Sequence, residues 1–138
     1  GLVHGVNVPG KGGVIQVFLV LDPRTGEILR FFFQRLDSPA AKALRDKAFL
    51  APFKGLTLAD FYKHDYYALA DPASDKDRLA KIKDPISDPA GKPDYRTTLR
   101  GIRKNLILLD IFVYDLKNEP FFERAQESLK KLNEEKKK

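Results

Sequence analysis

The chain has 138 residues, a net charge of +6, and no Cys, Met or Trp. Its length suits a single domain, and a content of 43% hydrophobic and 32% charged residues is typical of a globular chain. The lack of Cys excludes disulfides, thiolate metal sites and iron–sulfur clusters, and the two His are sixty positions apart, which makes a poor metal site. Redox chemistry in this chain would therefore need an organic cofactor.

The N-terminal half predicts a β-hairpin over residues 14–34. Residues 14–21 are largely β-branched and apolar, residues 22–27 contain the Asp, Pro and Gly of a turn, and residues 28–34 form the second strand. Phe31, Phe32 and Phe33 place aromatic rings on both faces of that second strand. We expect one face to meet the core and the other to be covered by a helix or a ligand.

The C-terminal half predicts two helices. Residues 97–115 carry apolar side chains at steps of three and four, and further apolar residues predict that the second half of this helix is buried nearly all round. Residues 120–132 form a last helix with Leu132 inward, followed by a lysine-rich end. The sequence thus predicts an α+β domain, in which an antiparallel sheet starting with the 14–34 hairpin packs against the helix 97–115, with 120–132 as an appendage.

The positive charge is concentrated in two segments, residues 94–104 and residues 130–138, each of which contributes +3. A basic chain suggests nucleic-acid binding, but the remaining residues balance to zero and no segment interleaves basic and aromatic residues as RNA-binding sequences do. We therefore expect no nucleic-acid partner. The sequence contains no Gly-x-Ser-x-Gly motif, no Cys and no His beside an obvious nucleophile, so we do not expect a hydrolase.

Residues 96–100 are the best candidates for a binding site. Thr97 and Thr98 stand at the predicted start of the long helix, where free backbone N–H groups and the helix dipole favour an anion. Arg96, Arg100 and Arg103 follow at steps of four and three, hence on one helix face, and could neutralise a phosphate. The alternative is that Thr97 is an ordinary N-cap and the arginines form a solvated face.

The order of segments resembles the FMN-binding domain family, which includes the C subunit of sodium-pumping NADH:quinone oxidoreductase and the G subunit of Rnf electron-transport complexes. The hairpin contains the Asp-x-x-x-Gly turn of that family at residues 22–26, and residues 48–55 resemble its Phe and Phe-Lys-Gly elements. Residues 36–41 stand where the family has Glu-Thr-Pro-Gly-Leu-Gly, with Pro39 matched and Asp37 and Ser38 conservative. Residues 95–99 stand at the flavin-attachment motif Ser-Gly-Ala-Thr.

The resemblance implies an FMN cofactor, with Thr98 matching the threonine that carries the phosphate in the family. The neighbouring cofactor-binding residues it implies are Arg96, Thr97, Leu99, Arg100, Asp37, Ser38 and Pro39. Because Tyr95, Arg96 and Thr97 replace Ser-Gly-Ala, and glycine is what allows close backbone approach, we expect FMN to be held non-covalently. A flavin-free member of the fold that acts as a structural or docking subunit is the alternative.

The resemblance also implies an electron-transfer domain on the extracytoplasmic side of a membrane-associated redox complex, with subunits of that complex as partners. Residues 1–116 would be the FMN-binding-like domain, and residues 117–138 the C-terminal helix and lysine-rich tail. Because the chain begins at Gly1 and not at Met, we expect a removed N-terminal segment to supply the membrane anchor. The lysine tail is the other expected membrane contact.

Overall fold

The computed structural model describes residues 1–64, 78–115 and 122–137, and it contains a three-stranded antiparallel sheet. The strands β1 (Leu2–Gly10), β2 (Gly13–Leu21) and β3 (Ile28–Leu36) lie in the order β1-β2-β3. Strands β2 and β3 confirm the predicted hairpin. The strand β1 precedes it and was not predicted.

Five α-helices follow the sheet in the described residues: α1 (Ala41–Leu44), α2 (Lys47–Leu50), α3 (Leu58–Lys63), α4 (Pro93–Phe112) and α5 (Phe122–Lys136). Short 3-10 helices occupy Ala51–Phe53 and Leu79–Lys81. The long predicted helix is α4, but it begins at Pro93 and not at residue 97. Proline suits a first helical position, because its missing N–H group would have no partner there.

The core lies between α4 and one face of the sheet. Alternate residues of β2 point into it, and Ile15, Val17, Leu19 and Leu21 are at most 1% exposed. Gly101 allows the close approach of α4, since a Cβ atom there would lie 3.1 Å from Val8 and 3.2 Å from Val17. The predicted α+β class, with an antiparallel sheet packed against a long helix, is confirmed.

The three consecutive phenylalanines divide between the two faces of the sheet, as predicted. Phe31 and Phe33 are buried, and the Phe31 ring meets that of Phe53 edge to face at 4.7 Å. Phe32 lies on the opposite face, next to Phe18. On that second face Val3, which pairs with Val20, is 61% exposed, so the expected cover does not extend over it.

The C-terminal end of α4 is more exposed than predicted. Ile111, Phe112 and Val113 are 44%, 77% and 46% exposed, so the expectation of burial all round is wrong for this end. Leu132, expected to point inward from α5, is 52% exposed. Residues 120–121 of the predicted last helix lie outside the described part of the chain. Within the described residues, no helix combines the length and the apolar character that crossing a bilayer requires.

Candidate functional site

Thr98 and Leu99 lie on the buried side of α4. The Thr98 side chain is fully buried, and its hydroxyl donates a hydrogen bond of 2.7 Å to the carbonyl oxygen of Asp94, one turn earlier. Leu99 is 1% exposed and belongs to the core, whereas Thr97 is half-buried. Because the helix starts at Pro93, the predicted position of the free N–H groups near Thr97 is corrected: they lie about one turn earlier.

The start of α4 is occupied by the chain's own carboxylate. Asp94 is 1% exposed and accepts hydrogen bonds from the backbone N–H of Lys11 at 3.0 Å and from the Ser38 hydroxyl at 2.5 Å. The Ser38 oxygen in turn accepts a bond of 3.0 Å from the backbone N–H of Ala40. This carboxylate joins the β1–β2 turn, the chain after β3 and the start of α4, and it provides the negative charge that a helix N-terminus favours.

Asp37 packs against the glycine-rich β1–β2 turn. Its carboxylate accepts hydrogen bonds from the backbone N–H of Val14 at 3.3 Å and from Arg35 Nε at 2.8 Å. A Cβ atom at Gly12 would lie 2.8 Å from the Asp37 carbonyl oxygen, so glycine allows the turn to approach. Pro39 is exposed beside this region. Asp37 and Ser38, which the resemblance implies as cofactor-binding residues, thus form hydrogen bonds that join the β1–β2 turn, the chain after β3 and the start of α4.

Arg100 lies on the opposite, exposed side of α4. Together with Arg103 and Lys104 it lines an open groove of about 470 Å³, whose other lining residues are Ile107 and Leu108. The volume falls within the roughly 300–1,000 Å³ of small-molecule sites. The groove therefore combines a cationic end with an apolar end, an arrangement that suits an anionic ligand with an apolar body.

Two of the groove cations are held in place by neighbouring elements. The Arg103 guanidinium lies 5.0 Å from the centre of the Tyr62 ring, over its face, and the Lys104 ammonium donates a 3.3 Å hydrogen bond to the Asn7 carbonyl of β1. Arg96, one helical turn before Arg100, is half-buried. The sequence predicted Arg96, Arg100 and Arg103 on one face of the helix, and the structure adds Lys104, Ile107 and Leu108 beside them.

A smaller cavity of about 240 Å³ lies on the other side of α4, near Leu106 and Tyr114. Burial raises the pKa of the Tyr114 phenol, and the nearby Asp22 and Asp110 carboxylates raise it further by a smaller amount. The phenol donates a 3.2 Å hydrogen bond to the Asp22 carbonyl. The Thr57 hydroxyl at this cavity bonds the Asp60 carboxylate at 3.2 Å and forms part of the capping box of α3. The volume of this cavity is below the roughly 300–1,000 Å³ that is usual for small-molecule sites.

His4 has a structural partner. Its Nδ1 atom lies 2.7 Å from the side-chain oxygen of the fully buried Asn105, whose amide nitrogen donates to the His4 and Val17 carbonyl oxygens. Within residues 1–64, 78–115 and 122–137, no three His, Cys, Asp or Glu side chains come together as metal ligands.

The fold and the groove define a two-layer α+β domain with a basic, partly apolar groove on the outer side of its long helix. Comparison with protein-family models, with curated proteins and with solved structures gives no match to this chain.

Proposed function

We propose that this chain is an electron-transfer domain that binds FMN non-covalently in the groove on the outer side of α4. The observation that supports the proposal is the juxtaposition, in one groove of about 470 Å³, of Arg100, Arg103 and Lys104 with Ile107 and Leu108. FMN has the matching chemistry, because its phosphate is a dianion and its isoalloxazine ring is flat and largely apolar.

Each part of the groove has a distinct task in this proposal. Arg100, Arg103 and Lys104 would bind the phosphate, and Arg96 would add positive charge one turn away. Ile107 and Leu108 would contact the ring and exclude water from one of its faces. The flavin supplies the one- and two-electron chemistry, while the chain binds it, orients it and sets its electrostatic surroundings.

The start of α4 does not fit a flavin phosphate. The Thr98 hydroxyl is buried and bonded within the helix, and a phosphate at the first turn would lie beside the buried Asp94 carboxylate. Two negative charges side by side in a poorly hydrated site repel each other strongly. This arrangement supports non-covalent binding in the groove and argues against covalent attachment through Thr98.

The cellular setting of the proposal rests on the resemblance described above. We propose that the domain works on the extracytoplasmic side of a membrane-associated redox complex and transfers electrons between subunits of that complex. A membrane anchor and partner subunits would hold it there.

The test is a titration of the purified protein with FMN, followed by quenching of flavin fluorescence. We expect saturable binding by the wild type, and affinity weakened at least tenfold in Arg100→Gln and in Arg103→Gln. Lys42→Gln removes an exposed cation from α1, outside the groove, and serves as the matched control with unchanged affinity. Thr98→Val should also bind FMN normally, because its hydroxyl faces the interior.

Two results would refute the proposal. One is the absence of FMN binding at several hundred micromolar. The other is a mass increase of one FMN, abolished by Thr98→Val, when the protein is produced together with a flavin transferase; this would place the flavin covalently at Thr98.

The second candidate function is that of a flavin-free structural or docking subunit of the same fold. The observation that favours it is the filling of the α4 start by Asp94 and Ser38, which leaves the segment resembling the attachment motif with a packing role. A protein that is colourless and fails to bind FMN, yet still assembles with its complex, would establish this function instead.

A further inference from the structure

The face of the sheet turned away from α4 carries an aromatic row that crosses all three strands. Gly5 of β1 pairs with Phe18 of β2, which pairs with Phe32 of β3. The two ring centres are 5.5 Å apart and the ring planes are inclined by 21°, while the Arg30 guanidinium lies 5.6 Å from the centre of the Phe32 ring, over its face. Both rings are only half-buried, so they remain accessible to a ligand.

Gly5 allows the Phe18 ring to extend over β1. A Cβ atom at Gly5 would lie 2.6 Å from two atoms of that ring, closer than real Cβ atoms approach. Any other residue would therefore displace the ring, and a bulkier one would also raise a side chain at the end of the row. Because Gly5 has no side chain, nothing protrudes from β1 at the end of the aromatic row.

A polar row runs beside the aromatic one. Asn7 pairs with Gln16, and Gln16 pairs with Arg35, which adds two amides and a second guanidinium. The Arg35 Nε atom donates to Asp37, just beyond the end of β3. None of the three strands contains Asp or Glu, so the charged side chains of the strands themselves are positive. Amides both donate and accept hydrogen bonds, as the edges of nucleobases do.

We propose that this face, defined by Asn7, Gln16, Phe18, Arg30, Phe32 and Arg35, binds a short stretch of single-stranded nucleic acid. Bases stack against the exposed side of the Phe18–Phe32 pair, the amides contact base edges, and the arginines contact the flanking phosphates. Stacked aromatic side chains beside positive charge are the general means by which proteins bind unpaired strands. A duplex fits poorly, because its bases are already stacked on each other.

This proposal does not depend on FMN binding, and it departs from the expectation of no nucleic-acid partner. The sequence alone predicts no such partner, because the charge outside the two basic segments balances to zero and no single segment interleaves basic and aromatic residues. Phe18 and Phe32 belong to different strands, fourteen positions apart in the sequence, and only the register of β2 and β3 makes them neighbours.

Fluorescence anisotropy with labelled twelve-nucleotide oligo(dT) and oligo(U), at low and at physiological salt, tests the proposal. We expect both to bind more tightly than a duplex of equal length. Replacing both rings by Leu (Phe18→Leu with Phe32→Leu) preserves apolar cover over Gly5, removes the stacking surfaces and should weaken binding at least tenfold. Phe112→Leu changes a ring that lies outside the sheet and is 77% exposed, more than either ring of the row, and it is the control with unchanged binding.

Charge variants provide an independent test that does not alter the packing around Gly5. Arg30→Gln should weaken binding and reduce its dependence on salt, whereas Arg24→Gln, in the β2–β3 turn, should do neither. The proposal is overturned by no binding at low salt, or by equal affinity for duplex and single strand that neither the double Leu variant nor Arg30→Gln changes. If the face instead joins two copies of the chain, sedimentation should show a dimer for the wild type and a monomer for the double Leu variant, while the variant keeps the oligonucleotide affinity of the wild type.

Discussion

Replacing Asp94 should destabilise the fold more than replacing any exposed aspartate does. Its buried carboxylate accepts hydrogen bonds from Lys11 and Ser38, which belong to two other segments of the chain. Asp94→Ala removes both acceptors at once. The N–H of Lys11 then loses its acceptor in this part-buried region, and the Ser38 hydroxyl must find another.

The expected loss follows from the number and kind of these bonds. A hydrogen bond to a charged group contributes roughly 1.5–3 kcal/mol, so loss of both should lower the unfolding free energy by about 3–6 kcal/mol. In Asp94→Asn, the remaining side-chain oxygen can still accept from the Lys11 N–H, and the new amide can donate to the Ser38 oxygen. This variant should therefore lose only about 1–2 kcal/mol of unfolding free energy. Domains of this size have an unfolding free energy of roughly 5–15 kcal/mol in total, so the alanine variant should lose a large share of it.

Urea denaturation followed by circular dichroism measures the effect. Asp88→Ala is the matched control, since Asp88 is exposed and its carboxylate accepts a local bond of 3.0 Å from Ala90 within a turn. We expect the control to lose less than about 1 kcal/mol. If Asp94→Ala and Asp88→Ala unfold at the same urea concentration, the carboxylate does not join the three segments energetically, and the account of this region is refuted.

Three further predictions concern packing, buried polar groups and pH. Gly91→Ala should lower the unfolding free energy by about 1–3 kcal/mol, because the new Cβ would lie 2.6 Å from that of Ala40; near-normal urea unfolding would contradict this contact. Asn105→Ala should cost about 2–4 kcal/mol in the same assay, because it removes its hydrogen bonds to His4 and Val17, and a loss below about 0.5 kcal/mol would be inconsistent with them. Because the folded chain raises the pKa of Tyr114 above 10.0, it holds the phenol proton more tightly than the unfolded chain does, so stability should be full below about pH 10 and fall as pH rises further. Tyr114→Phe should make that fall shallower, and an unchanged slope would show that the phenol does not contribute to it.

The sequence predicted the parts of the fold that have an uninterrupted pattern. The β2–β3 hairpin was found because its strands are apolar and β-branched and its turn contains Gly26, which adopts a φ of 71°. The strand β1 was missed because Gly5, Pro9 and Gly10 are unusual in strands. Gly5 is there for a tertiary reason, the ring of Phe18, which cannot be seen from β1 alone.

The candidate site was harder to predict because it depends on where α4 begins. Thr97 looked like a helix cap, whereas the start is marked by Pro93 with Asp94 in the first turn. Because of that shift, Thr98 lies in the interior and Arg100 lies in the exposed groove. Residues predicted to form one binding site are therefore on opposite sides of α4. The exposed end of α4 at Phe112 was missed because apolar composition alone does not tell which surfaces find a partner.

The two proposed sites lie on opposite outer surfaces of the two-layer fold, and this makes them separable by experiment. Buried residues of β2 that point to α4 lie between Phe18 and Arg100, and the groove reaches the sheet at the edge strand β1, where Lys104 donates to the Asn7 carbonyl. The double Leu variant at Phe18 and Phe32 should therefore leave FMN affinity unchanged, and Arg100→Gln should leave the preference for single strands over duplex unchanged. Loss of both activities in either variant would indicate a damaged fold, and loss of one alone would assign each activity to its own surface.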